Sequence, residues 1–387
     1  MNTPILRFGA FLGPHHSIKE NPTLALARDL QLVELLDELD YDEVWVGEHH
    51  SGGFEIISSP EIFIAAAAER TKKIKLGTGV KTVSFHHPLI VADQMVQLDH
   101  MTRGRCMFGA GPGALPTDAY QMGIKPGDQR RRLSEALDAI VPLMEGKTMS
   151  METDWFTLNN AKIHLASYSQ PMMEMAVTSV KSPSGAICAG KFGAGLLVLG
   201  GTSKEALNIQ SENWRICEET AASHGRVVER RQWRITVMAH LAETKKQALK
   251  DMEFGMQDWV NYSHHVLPAS PFPTAETDPL AWGVDNKLLL IGTPDDAIKE
   301  IERIQRQTGG FGTFLFFAHN FASWEATKHS YELAARYVFP HFKMTNAPRQ
   351  ESYDTARKGH EKLQSDHRQA IKNASSAYKK IKKLPKD

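Results

Sequence analysis

Eight times along 387 residues, a short apolar run of strand character gives way to a segment with helical spacing. The runs fall at residues 6–12, 44–46, 74–79, 106–110, 173–177, 196–199, 234–241 and 313–317. After the first, Asn21-Pro22-Thr23 offers a helix start with capping residues and an early proline, and Leu26, Leu30, Val33, Leu36 and Leu39 recur at three- and four-residue steps. Further helices are expected at 60–70, 88–101, 129–145 and 323–342. Strands alternating with helices require a parallel sheet. A doubly wound open sheet would satisfy the alternation, but eight units in a chain of this length favour closure. The fold class expected is α/β, a (β/α)8 TIM barrel with insertions and a C-terminal helical extension.

Two segments stand outside the repeat. Residues 261–286 are rich in Pro, Ser, Thr and His, with Phe272 and Trp282 as apolar points, and read as a long unpatterned connection of the kind that serves as a lid. From Asn346 onward the chain carries 11 Lys/Arg against 5 Asp/Glu, so the body without this tail is acidic. Ala356, Leu363, Ala370, Ala377 and Leu384 repeat at seven-residue steps there, which fits either a helix packing on a neighbour or a solvated extension. The expected organisation is a barrel over 1–345, with a lid at 261–286, followed by a basic helical or disordered tail over 346–387.

Whole-chain charge balances at 45 basic and 45 acidic residues, which gives no reason to expect nucleic acid or an anionic membrane as partner. No stretch has the uninterrupted apolar length of a membrane helix. Cys106, Cys188 and Cys217 are odd in number and form no CxxC. With no leader-like start, they point to a reducing cytoplasm.

The second strand run ends in chemistry: Glu43-Val44-Trp45-Val46-Gly47-Glu48-His49-His50. Catalytic groups of such barrels sit where the strands end, and histidine exchanges protons near neutrality. The plain reading, that these imidazoles only satisfy local hydrogen bonds, stays open for any single histidine. Neighbouring side chains on a strand face opposite ways, so His49 and His50 should not share a role. Among 17 histidines there is no HExxH, no HxH at the first strand end and no zinc-type Cys/His spacing, so no metal is expected. His86 or His87 is expected to steady the loop before Pro88. Gly109-Ala110-Gly111-Pro112-Gly113 is not GxGxxG opening a helix, and reads as a loop that lets backbone approach a ligand.

The strings EVWVGEHHS, SSPEIFIAAAAERT, IKLGTGVKTVSFHHPLIVADQMVQLDHMTRGR and FGAGPGALPTDAYQMG resemble the bacterial luciferase-like, flavin-dependent monooxygenases, and in particular their limonene 1,2-monooxygenase-type members. The resemblance covers roughly residues 5–343 and is densest from Arg7 to Arg132. It implies a barrel that holds reduced FMN at its strand ends, with FAD as the alternative flavin. Oxygen would add to that flavin as a C4a-hydroperoxide that oxygenates a small, apolar organic substrate. His49 matches the family's active-site histidine, as acid/base or hydrogen-bond donor, while His50 and Glu48 would be structural. Thr78, Gly79 and Val80 match a strand end under the flavin ring, where members often have a cis peptide at the position of Gly79-Val80. A glycine that merely relieves crowding would serve equally there. Gly111 stands where luciferase carries a reactive cysteine, and Cys106, inside the fourth strand, does not take that role.

The resemblance also places the flavin phosphate at Thr178-Ser179-Val180-Lys181-Ser182-Pro183-Ser184-Gly185, just before a helix. Ser182 and Ser184 would add donors, Lys181 charge, and Gly185 close backbone approach. An ordinary helix cap would look the same. Arg105, Arg130, Arg131 and Arg132 are further sources of charge, though surface solvation is the default for arginines. Phe11, Phe85, Trp282 and Phe317 are candidates to line the substrate site, against plain core packing. The implied partners are O2, the organic substrate and a separate NAD(P)H flavin reductase, with the chain as a homodimer. A deazaflavin-dependent hydride-transfer enzyme of the same fold, or a non-catalytic flavin-binding subunit, are the alternatives.

Overall fold

The computed structural model describes residues 5–13, 15–273 and 278–381. Its frame is eight parallel strands: β1 (Arg7–Leu12), β2 (Glu43–Val46), β3 (Lys75–Thr78), β4 (Cys106–Gly111), β5 (Glu174–Thr178), β6 (Gly195–Leu199), β7 (Trp233–Leu241) and β8 (Thr313–Ala318). Each pairs in parallel with its neighbour, and β8 returns to β1 with Arg7 opposite Thr313, so the sheet closes into a barrel. The expected closure is therefore observed. It follows from helices that bury one face outside while the strands bury both faces. Strands β2, β4 and most of β6 are buried along their length.

Helix boundaries follow their local signals. Asn21 caps Pro22–Glu38 by accepting from the Thr23 and Leu24 amides. Helix Pro60–Arg70 starts on its proline, as does Pro88–Thr102, which ends on Arg103 in a left-handed conformation. Three features lay outside the sequence reading. A hairpin of Met149–Glu152 and Thr157–Ala161 is inserted before β5. β7 runs nine residues because its second half pairs with a short strand, Leu289–Gly292. The segment expected to be an unpatterned connection over 261–286 instead contains the end of helix Met256–His265 and helix Pro279–Asp285. Residues 274–277 of that segment lie outside the described residues.

The barrel interior is layered. At the N-terminal ends of the strands, the fully buried Arg234 sends Nε to Glu43 Oε1 at 2.7 Å and Nη2 to Glu174, with Arg7 3.5 Å from Glu43. Above it lies Trp45, whose ring sits 4.7 Å from the Arg234 guanidinium carbon. A Cβ at Gly77 or Gly109 would come within 2.6 or 2.9 Å of that indole, so the two glycines make room for it. Phe11, Met107, Ala176, Leu197 and Leu315 complete the apolar layer. The strands' C-terminal ends open above.

The chain divides by internal packing into Met1–Phe339 and Pro340–Asp387. The second unit is dominated by a 35-residue helix, Ala347–Ile381. Ala356, Leu363, Ala370 and Ala377 of the seven-residue seam are all exposed. No helix among the described residues is long and apolar enough to cross a membrane.

Candidate active site

At the end of β2 the chain leaves the barrel as Gly47-Glu48-His49-His50 and turns through Gly52 and Gly53, both at positive φ (80° and 78°). That turn needs residues without a Cβ. It folds the chain back so that the His49 amide bonds to the Ile57 carbonyl at 3.0 Å, which brings Glu55 to His49. His49 Nε2 meets Glu55 Oε2 at 3.0 Å and Nδ1 meets Asp118 Oδ2 at 3.1 Å. Asp118 comes from the short helix Pro116–Gln121 after β4. Its other oxygen accepts from Ser51 Oγ at 2.5 Å and from the His50 amide at 3.1 Å. Tyr262, on helix Met256–His265, donates to Glu55 Oε2 at 2.5 Å.

Burial by itself would strip the proton from His49. Glu55 and Asp118 outweigh it and hold the imidazolium up to about 10. Burial likewise opposes ionisation of both carboxyls, but His49 and their hydrogen bonds keep Glu55 and Asp118 below the ordinary range. Two carboxylates with side chains only 6% and 3% exposed thus flank one imidazole, each held by one of its two ring nitrogens.

His50 faces elsewhere. It shares Glu48 with His86, at 3.0 and 2.6 Å, and the Thr82 amide donates to the same carboxylate at 2.9 Å. Against the cost of burial, these bonds and Lys81 pull Glu48 down to about 2. Glu48, His50 and His86 present ligand atoms within 4.8 Å of one another. Lys81, 3.7 Å from Glu48 and 2.8 Å from Glu61, already supplies the local cation.

The other expected residues spread around the same mouth. The Gly79–Val80 bond is cis. Thr78 is fully buried and spends its hydroxyl on the Gly109 carbonyl (2.8 Å) and amide (2.9 Å), tying β3 to β4. A Cβ on Gly111 would lie 2.6 Å from Val80 and 2.8 Å from Thr178 Oγ1, so Val80, Gly111 and Thr178 form one lip. Beyond it Ser182 Oγ and Ser184 Oγ lie 2.9 Å apart at the start of helix Ser184–Phe192. Gly185 brings that helix against β5, since a Cβ there would sit 2.0 Å from the Thr178 carbonyl oxygen. Hydroxyls and first-turn amides at a helix N-terminus are the donor set a phosphate requires, so the turn, whose Ser184 amide here donates to Ser182 Oγ at 3.2 Å, has the chemistry to fit the phosphate of FMN. Lys181 is exposed beside it.

Arg131 pairs instead with Asp154 and Glu135, and Arg105 with the Ala68 and Ile74 carbonyls. Phe11 and Phe317 stack at 5.3 Å over the apolar layer. Half-buried Phe85 lies 6.2 Å from the His50 ring. Trp282 packs on Phe272, 5.8 Å away, in the apolar cluster that holds Trp259 and Tyr262. Cys106 is buried within β4, its thiol pushed up by burial.

A family model for luciferase-like monooxygenases matches residues 6–310. The chain belongs to this family. Limonene 1,2-monooxygenase of Rhodococcus erythropolis is 46% identical to it over 349 residues, covering 90% of this chain and 89% of that one. The 4-hydroxyprotoasukamycin monooxygenase of Streptomyces nodosus subsp. asukaensis is 42% identical over 345 residues, covering 87% and 92%. Among solved structures, the oxygenating constituent of 3,6-diketocamphane monooxygenase from Pseudomonas putida, in complex with FMN, superimposes with a TM-score of 0.71 at 23% identity, over 87% of this chain and 98% of that one. The luciferase-like monooxygenase described here is thus an enzyme on the expected barrel. The sequence reading reached His49, the β3 end and the turn after β5, but not Glu55, Asp118 or Tyr262. The glycine pair before Glu55 was the available signal for the first. Asp118 sits in a family-like string without any local mark, and Tyr262 lies over 200 residues away.

Proposed function

We propose that this chain is the oxygenase of a two-component flavin system. It accepts reduced FMN from a separate NAD(P)H flavin reductase and, with O2, places one oxygen atom on a small, apolar organic substrate. The observation that carries this reading is the doubly clamped His49 imidazolium at the end of β2, with a helix N-terminus fit for a phosphate after β5 of the same barrel. The FMN complex of a protein of the same fold supports the choice of flavin.

Ser182, Ser184 and the first-turn amides of their helix would hold the phosphate, and Val80 and Gly111 would border the flavin ring. Bound there, reduced FMN would supply the electrons that activate O2. The protein's part would be to supply a proton from the Glu55–His49–Asp118 cluster to the oxygen leaving as water, one ring N–H leaving its carboxylate to do so, and to keep bulk water out. Phe11 and Phe317 present the apolar surface to which the substrate would bind. A dry, low-dielectric pocket strengthens the His49 charge pair and suppresses wasteful discharge of activated oxygen.

The test is anaerobic binding of reduced FMN, followed by rapid mixing with O2 while the flavin spectrum is recorded. A transient that outlives oxidation of free reduced FMN is expected. Tight binding without that transient would favour hydride transfer, and absence of binding would end the FMN reading. Ser184→Ala should weaken FMN about tenfold, the worth of one hydrogen bond to a charged group, and leave riboflavin, which lacks the phosphate, unaffected. Equal weakening of both by titration would move the phosphate elsewhere.

A further inference from the structure

Across the barrel from the phosphate turn, β1 and β8 end side by side, with Leu12 paired to Ala318. The next residues are Gly13 and His319. A Cβ on Gly13 would lie 2.5 Å from His319 Nε2 and 3.1 Å from Glu55 Oε1, so the bare Gly13 Cα is what lets ring and carboxylate draw together. Glu55 spends its other oxygen, Oε2, on His49 and Tyr262. Oε1 is therefore the side of the Glu55–His49–Asp118 cluster turned toward His319.

His319 is 7% exposed and stacks between His15 and Phe321, with centroids 5.0 and 5.1 Å away, while Trp259 stands edge-on to it at 82°. Both of its ring nitrogens, and Nε2 of His15, are buried with no hydrogen-bond partner among the described residues. A phenyl ring would fill the same stack without leaving polar atoms unpaired, and buried polar atoms are normally satisfied. Burial holds His319 well below the usual histidine range, so the ring is neutral, with one nitrogen a donor and the other an acceptor. Those are the two capacities that handing on a proton requires.

Two cavities lead from the surface to this ring, and His16 lines both. The outer one, of about 160 Å³, lies among Ser17, exposed Ile18, Glu20, Gly53 and Ile56. The inner one, of about 20 Å³, lies among Gly13, His15, Asp29, His319, Asn320 and Thr327. A polar space of roughly 10–15 Å³ admits a water, so the inner cavity has room for one. His16 is fixed at the junction. Arg28 and Asn320 donate to its Nδ1 at 2.8 and 2.9 Å, which leaves Nε2 to donate to Asp29 at 2.8 Å. With the His16 nitrogens spent, His319 is the imidazole to which an inner water can bond.

We propose that a file of water through these cavities feeds protons to His319, which relays them past Gly13 to Glu55 and so recharges the cluster after each delivery. The proposal rests on the reading of that cluster as the proton source. In that reading bound flavin covers the mouth, and His49, whose side chain is 16% exposed without it, loses its direct access to water. A supply from behind then brings protons while bulk water stays off the flavin. One nitrogen of His319 takes a proton from the inner water as the other gives its own to Glu55 Oε1, with no transfer of electrons. The hydroxide left behind is neutralised along the file from solvent, and a half-turn of the ring within its stack restores the tautomer.

The test has one arm without flavin and one with it. A high-resolution crystal structure of the full, flavin-free chain should show a water bonded to a ring nitrogen of His319 in the inner cavity, and a dry cavity would overturn the proposal. The second arm mixes the reduced-FMN complex with O2 and reads proton uptake with a pH-indicator dye. His319→Phe keeps the stack, and Gly13→Ala sets a methyl between ring and carboxylate. Both should bind reduced FMN as the wild type does and take up protons at least tenfold more slowly. Added imidazole should restore much of the rate in His319→Ala, a rescue that a purely structural histidine would not show. Wild-type uptake in both His319→Phe and Gly13→Ala would overturn the relay. Should the His319 variants fail to fold, Gly13→Ala and the crystal structure decide. A wild type that binds no reduced FMN would remove the oxygenase reading, whereas normal flavin binding with unslowed variants would remove the relay alone.

Discussion

Replacing His49 with alanine is expected to lower product formation about 10²–10⁴-fold, the usual loss when a positioned general acid is removed, with cooperative unfolding retained. The reason is the charge it carries. An imidazole between two buried carboxylates is protonated across the physiological range, held up to about 10. Glu55→Gln provides the matched contrast. Where a step needs the protonated ring, its rate is level below that limit and falls as pH rises through it. Without the Glu55 charge the falling limb should move down toward the ordinary histidine value of about 6.5. Stability follows the same sign, because the folded pKa is raised: the His49 contribution is full below about 6.5 and is lost as pH rises through about 10. Product formation across pH in the two variants checks this. Unchanged turnover in His49→Ala would remove the residue from the reaction.

The largest expected loss of stability is at Arg234. Arg234→Ala should cost about 3–5 kcal/mol, the range for breaking a buried ion pair from one side, read as a shift of the urea midpoint at constant slope. Glu43, whose side chain is 0% exposed, would lose the guanidinium 2.7 Å away and be left with Arg7 at 3.5 Å and the Trp45 indole N–H at 3.1 Å. Glu174 would retain Arg7 and Lys75, at 3.7 and 3.2 Å. The Trp45 ring would lose the guanidinium that covers it. Replacing the arginine together with both carboxylates by apolar residues should recover much of the loss, since apolar packing often equals such a cluster. A change below about 1 kcal/mol in Arg234→Ala would show that the cluster at the barrel floor is not a cooperative unit. That figure is the range of an exposed pair.

Local signals carried the frame of the protein. Apolar runs, helix-starting prolines and the Asn21 cap are short-range effects, and the strands and helices they mark stand where the sequence places them. Closure followed from counting units, because a right-handed βα repeat of eight has a standard way to bury its strands. His49 was legible for the same reason, as it ends a strand whose run of apolar residues is unmistakable. The end of helix Met256–His265 and helix Pro279–Asp285 were missed within 261–286 because the stretch between them is rich in Pro, Ser and Thr, and packing against Phe54, Leu115 and Phe321 supplies what propensity does not. What His49 does was decided by folding. Its carboxylate partners are 6 and 69 positions along the chain, and Tyr262, which braces Glu55, is 207 positions from it. Proximity among such residues has no sequence period, since it depends on which strand ends the closed barrel brings together. The sequence therefore determined the barrel and the imidazole at its mouth, and the tertiary structure determined that the imidazole is charged, because a proton affinity depends on distance and burial rather than on order along the chain.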